Sequence, residues 1–91
     1  MALERARVIF SGYVQGVGFR FTARMLASHF PVTGLVLNLP DGTVKLEAQG
    51  ERPVVESYLE ALRTKMSDCI SGAEVTWTSP VEDEDGFSVR F

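Results

Sequence analysis

Ninety-one residues, 45% of them hydrophobic, suit a small globular unit with a modest core. Twelve acidic residues against nine basic give a net charge of -3, which argues against nonspecific nucleic-acid binding but not against a small anion held by a local arginine. Cys69 is the only cysteine and His29 the only histidine, so the sequence offers neither an intramolecular disulfide nor a thiolate or imidazole cage for a metal.

The N-terminal stretch MALERARVIF carries Glu4, Arg5 and Arg7 and lacks the apolar segment of a signal peptide. No apolar run approaches the roughly 20 residues that span a bilayer. A soluble cytoplasmic protein is expected, and a monomer suits the size. No cofactor, metal, nucleic acid or membrane is expected as a partner.

Residues 7–14, RVIFSGYV, are rich in β-branched and aromatic types and predict a strand. After a glycine-containing loop, Phe19, Ala23, Leu26, Ala27 and Phe30 recur on one face of a helix that Pro31 must stop. Residues 33–39 and TVKLEAQ (43–49) flank Pro40-Asp41-Gly42, which predicts a hairpin. In its second strand Val44, Leu46 and Ala48 alternate with Lys45, Glu47 and Gln49, giving one core face and one wet face. Pro53 suits a first helical position, and Val55, Tyr58, Leu59, Leu62 and Met66 follow at helical spacing. That helix should end before Ser71-Gly72. AEVTWTS (73–79) and FSVRF (87–91) read as the last two strands.

The order is β-α-β-β-α-β with a short C-terminal strand over a single domain, 1–91. It predicts an α+β, ferredoxin-like two-layer sandwich, with an antiparallel sheet covered on one face by two helices. That fold hosts many functions, so a function must be argued from a site.

The candidate site is GYVQGVGFR, residues 12–20. Lying between a strand and a helix, its amides stand near a helix N-terminus, where N–H groups lack intrahelical partners and the macrodipole is positive. Glycines there let successive amides converge on an anion without an intervening Cβ. Arg20 falls in the first helical turn, which the dipole disfavours for a cation. A phosphate-sized dianion would compensate, because a guanidinium forks across two phosphate oxygens. A tight turn with a solvated arginine accounts for the same spacing, so the spacing leaves both readings open.

The stretch resembles the signature of the acylphosphatase family, a glycine, any residue, then Val-Gln-Gly-Val-Gly-Phe-Arg. GLVLNLPDGTV, residues 34–44, resembles that family's second signature, a strand and hairpin of the form Gly…Val-x-Asn…Asp-Gly-x-Val. The resemblance implies hydrolysis of a small-molecule acyl phosphate to carboxylate and inorganic phosphate, without metal or phosphoenzyme. It implies that Arg20 grips the phosphoryl group and Asn38 orients the attacking water. The loop from Gln15 through Gly16, Val17, Gly18 and Phe19 would surround the phosphoryl oxygens. Asn38 also admits a bland reading, since asparagine near a hairpin commonly bonds its own backbone.

Three departures stand out. Leu35 replaces a tryptophan common in the family, and Leu37 occupies a position often basic or polar. The connection MSDCISGAEV (66–75) keeps Gly72 but lacks the usual Gly-Pro pair. Two other functions compete. One is a non-catalytic module binding phosphate or carbamoyl phosphate, as related domains do within larger maturation proteins. The other is a single-stranded RNA binder, opposed by the absence of stacking aromatics in TVKLEAQ. His29, Cys69, the acidic run 82–85 and Arg90 read as surface or bystander residues, with a partner for Arg90 left open.

Overall fold

The computed structural model describes residues 2–91. In chain order the elements are β1 (Glu4–Gly12), α1 (Phe19–Ala27), β2 (Thr33–Asn38), β3 (Val44–Gly50), α2 (Arg52–Lys65), β4 (Ile70–Thr78) and β5 (Phe87–Arg90). The strands form one sheet in the order β4-β1-β3-β2-β5. Both helices pack on the same face, giving the expected ferredoxin-like α+β sandwich.

The alternation read from the sequence is what buries the sheet's inner face. Ala6, Val8 and Phe10 of β1, Val36 of β2, and Val44, Leu46 and Ala48 of β3 are buried there. They meet Phe19, Ala23 and Ala27 of α1 and Val55, Tyr58, Leu59 and Leu62 of α2. The Tyr58 hydroxyl donates to the Ala23 carbonyl at 2.7 Å, which satisfies a fully buried phenol and ties the two helices together. Gly34 is required by the same packing. It lies opposite Ala48, where an added Cβ would collide with the Glu47 carbonyl.

Pairing is antiparallel along β1–β3, β1–β4 and β2–β3, but parallel along β2–β5. The sheet is therefore mixed where a wholly antiparallel one was expected. The reason is topological. Strand β4 ends at the edge of the sheet where β1 and β2 begin, so a chain crossing to the far side can only run back beside β2 in its direction. That crossing, residues 79–86, covers part of the sheet's outer face. Arg5, 3% exposed, donates from both terminal nitrogens to Glu84 at 2.9 and 3.0 Å and from Nε to Glu47 at 2.6 Å. Thr33 donates its hydroxyl to Glu84, while Gln49 both donates to and accepts from the Val81 backbone. Glu84 thus anchors the crossing, where the sequence suggested a solvated acidic turn.

Boundaries moved for local reasons. Strand β1 starts at Glu4 because Glu4 and Arg5 pair with Gly50 and Gln49. It ends at Gly12, where φ is 116° and the register with β4 shifts. Helix α1 ends at Ala27, short of Phe30. The Ser28 hydroxyl donates to the Met25 carbonyl, and the N–H groups of 28–30 donate three residues back, tightening the chain out of α geometry. Strand β4 begins at Ile70, so Ser71-Gly72 lie within it; Gly72 pairs with Ser11 and Ile70 with Gly12.

Candidate active site

Strands β1, β2 and β5 all finish at one end of the sheet, and the candidate residues collect there. Gly16 and Gly18 have φ of 77° and 79°, while Gln15, Val17 and Phe19 do not take positive φ. Alternation of backbone sign of this kind turns successive N–H groups toward one side, a geometry suited to an anion. Among the described residues, the N–H groups of 15–20 make no hydrogen bond to the protein. Gly18 is also the N-cap of α1 and supplies no side-chain cap, so the helix N-terminus opens onto the same concavity.

The loop is held from outside by one side chain. Gln15 Nε2 donates to the carbonyls of Leu39 at 2.8 Å and Thr43 at 2.9 Å, at the two shoulders of the β2–β3 hairpin. Asp41 shapes that turn from within, accepting from the Thr43 N–H and hydroxyl. These bonds hold the Asp41 carboxyl below its ordinary range. The loop and the end of β2, which carries Asn38, are therefore fixed to each other.

A cleft of about 610 Å³ opens between them, lined by Gly16, Gly18, Phe19, Arg20 and Asn38, with β5 residues on its far wall. Asn38 sits on the inner face of β2, in step with Gly34 and Val36, and its Oδ1 is buried without a hydrogen-bond partner. Burial of an amide oxygen without a partner costs free energy, which argues against the plain hairpin role for this asparagine. Arg20 leaves the first turn of α1, donates from Nη1 to the Arg90 carbonyl at 2.9 Å, and stacks against the Phe91 ring at 4.7 Å. Four further N–H donors of its guanidinium remain for a ligand.

Of the six residues expected around a phosphoryl group, Gly16, Gly18, Phe19 and Arg20 line the cleft; Gln15 and Val17 belong to the loop but not to the cleft wall. Leu35 and Leu37 lie on the opposite face of β2 from Asn38, beside Glu47 and Lys45, so these departures do not reach the cleft. The Cys69 carbonyl accepts from the Tyr13 N–H at 2.8 Å, so the 66–70 connection seats the start of the glycine loop without a Gly-Pro pair. Neither the wall built by β5 nor the clamp formed by the Gln15 side chain was signalled in the sequence. A glutamine between glycines signals no distant acceptor, and strand order alone does not place the chain's last residues. No group of three or more His, Cys, Asp or Glu among the described residues is arranged to hold a metal ion.

A family model described as acylphosphatase matches residues 6–89. An acylphosphatase of Anaeromyxobacter dehalogenans is 40% identical over 88 residues, covering 96% of this chain and 95% of that one. The crystal structure of acylphosphatase from Bacillus subtilis superposes with a TM-score of 0.85 at 30% identity, covering 99% of this chain and all of the other. An acylphosphatase from Coxiella burnetii gives 0.82 at 34% identity, with 97% and 93% covered. With the matches running nearly end to end, the chain belongs to the acylphosphatase family.

Proposed function

We propose that the chain hydrolyses acyl phosphates, the anhydrides of a carboxylic and a phosphoric acid, to carboxylate and inorganic phosphate. The observation that carries this reading is the buried, unpartnered Oδ1 of Asn38, on the same cleft as Arg20 and the curl of free amides. In this reading the phosphoryl oxygens accept from the N–H groups of 15–20, and Arg20 forks across two of them. Asn38 Oδ1 accepts a hydrogen bond from a water and holds it behind phosphorus, opposite the acyl oxygen.

The water oxygen then bonds to phosphorus as the phosphorus–acyl oxygen bond breaks, and the electron pair leaves on the carboxylate. Both water protons stay with the new phosphate, as dihydrogen phosphate, until it equilibrates with solvent. Charge in the loose transition state spreads over the equatorial oxygens, where preorganised donors act best. A carboxylate leaves without a strong general acid, and none lines the cleft among the described residues. The unit acts as one domain and as a monomer, since every group required comes from one chain; its place is the cytoplasm.

The test is release of orthophosphate from acetyl phosphate or benzoyl phosphate by purified protein in the presence of EDTA. Release well above the spontaneous rate is expected. Phosphate binding without turnover would make the domain a binding module instead, and neither binding nor turnover would refute the site.

A further inference from the structure

We propose that Arg24 forms a second anion position at the mouth of the cleft, so that the enzyme selects acyl phosphates whose acyl group carries its own negative charge. The proposal deepens the hydrolytic reading above and rests on it.

Arg24 lies four residues after Arg20 on α1, and both line the cleft. Side chains at that spacing stand on the same helix face with Cβ atoms about 5–6 Å apart, and like charges there oppose each other. A carboxylate paired with Arg24 would relieve that repulsion. Among the described residues Arg24 makes no ion pair, although the protein carries more acidic than basic residues. Among the described residues the cleft wall includes two arginines and no Asp or Glu. Arg20 is restrained by the Arg90 carbonyl and the Phe91 ring, whereas the Arg24 guanidinium is uncommitted.

The same cleft also offers apolar surface. Phe21 lines it while 68% exposed, a large hydrophobic side chain presented to solvent at the site's edge. A ligand with a phosphoryl group at Arg20, a carbon skeleton against Phe21 and a second anion at Arg24 matches all three features. The favourable position of Arg24 in the last helical turn explains a cation on α1, but not an absence of acidic residues from the whole cleft wall.

The experiment compares kcat/KM for benzoyl phosphate and 4-carboxybenzoyl phosphate, two rigid substrates that differ by one distal carboxylate. It uses the wild type, Arg24→Gln and Arg63→Gln. Arg63 is exposed on α2 away from the cleft, and its replacement changes the net charge equally. Taking the ratio of the two substrates, then comparing proteins, cancels their intrinsic reactivities. The expected preference for the carboxylated substrate falls about three- to fivefold in Arg24→Gln, the effect of one exposed charge pair, and is retained in Arg63→Gln.

The wild-type preference should also shrink as salt rises from about 0.02 to 0.3 M, a measurement that needs no variant. Equal ratios in wild type and Arg24→Gln, or a preference insensitive to salt, would overturn the selectivity while leaving hydrolysis intact. If the wild type hydrolyses neither substrate, the hydrolytic reading fails and the selectivity falls with it.

Discussion

Replacing Gln15 by methionine keeps the length of the side chain and removes its two donated hydrogen bonds, to Leu39 and Thr43. Both carbonyls keep another partner, since Leu39 accepts from the Gly42 N–H and Thr43 from the Leu39 N–H. The substitution therefore strands no buried acceptor, and the loss is that of two ordinary neutral bonds, about 2 kcal/mol in all. For a domain of this size that lowers Tm by roughly 10 °C. Activity should fall further than stability explains, because Gln15 fixes the glycine loop against the end of β2, where Asn38 stands. A misplacement of about 1 Å between reacting groups costs on the order of 10²-fold in rate. Thermal unfolding by circular dichroism and steady-state hydrolysis of benzoyl phosphate, assayed well below Tm, measure the two effects separately. A Tm within 2 °C of wild type (roughly the shift of a few tenths of a kcal/mol) together with unchanged kcat/KM would refute the clamp.

Other substitutions separate the roles within the site. Arg20→Lys should lower kcat/KM about 10²–10³-fold, because an ammonium cannot fork across two oxygens; near-normal turnover would remove Arg20 from the mechanism. Asn38→Ala should depress kcat much more than it weakens competitive inhibition by phosphate, and equal losses would make Asn38 a binding residue. Glu84→Gln should cost about 1.5–2 kcal/mol near neutral pH, the range of a charge-assisted hydrogen bond, because the pair is part-buried and Glu47 still faces Arg5. Burial alone would raise the Glu84 carboxyl, but hydrogen bonds from Arg5 and Thr33 outweigh it and hold the group below its ordinary value of 4.5. A lowered native value stabilises the fold above the unfolded value and loses that contribution as pH falls through the native one. The Tm gap between wild type and Glu84→Gln should thus be full at neutral pH and close toward pH 3 (below the usual carboxylate range); a gap independent of pH would refute the pairing.

The fold was legible where one periodicity coincided with one buried face. Val44, Leu46 and Ala48 alternate along β3, and Val55, Tyr58, Leu59 and Leu62 repeat along α2; all are buried. Legibility failed where residues act at long range. In the sequence Arg5 is only one of three N-terminal charges, yet it is buried against Glu84, 79 positions away. The parallel direction of β5 depends on which side of the sheet β4 occupies, and no local pattern encodes that. At the site, the loop glycines and Arg20 were visible because unusual backbone geometry needs glycine. Arg24 was not, because a single arginine on a helix looks the same whether it meets solvent or a cleft.

In the proposed mechanism the curl of amides at 15–20, with Arg20 beside it, holds a phosphoryl dianion. Titration of 15N-labelled protein with inorganic phosphate, followed through the backbone amide resonances, tests that binding. The amides of 15–20 should shift together and saturate with one dissociation constant, and Arg20→Ala should weaken the binding. Shifts centred elsewhere on the surface, or saturation unchanged in Arg20→Ala, would contradict it.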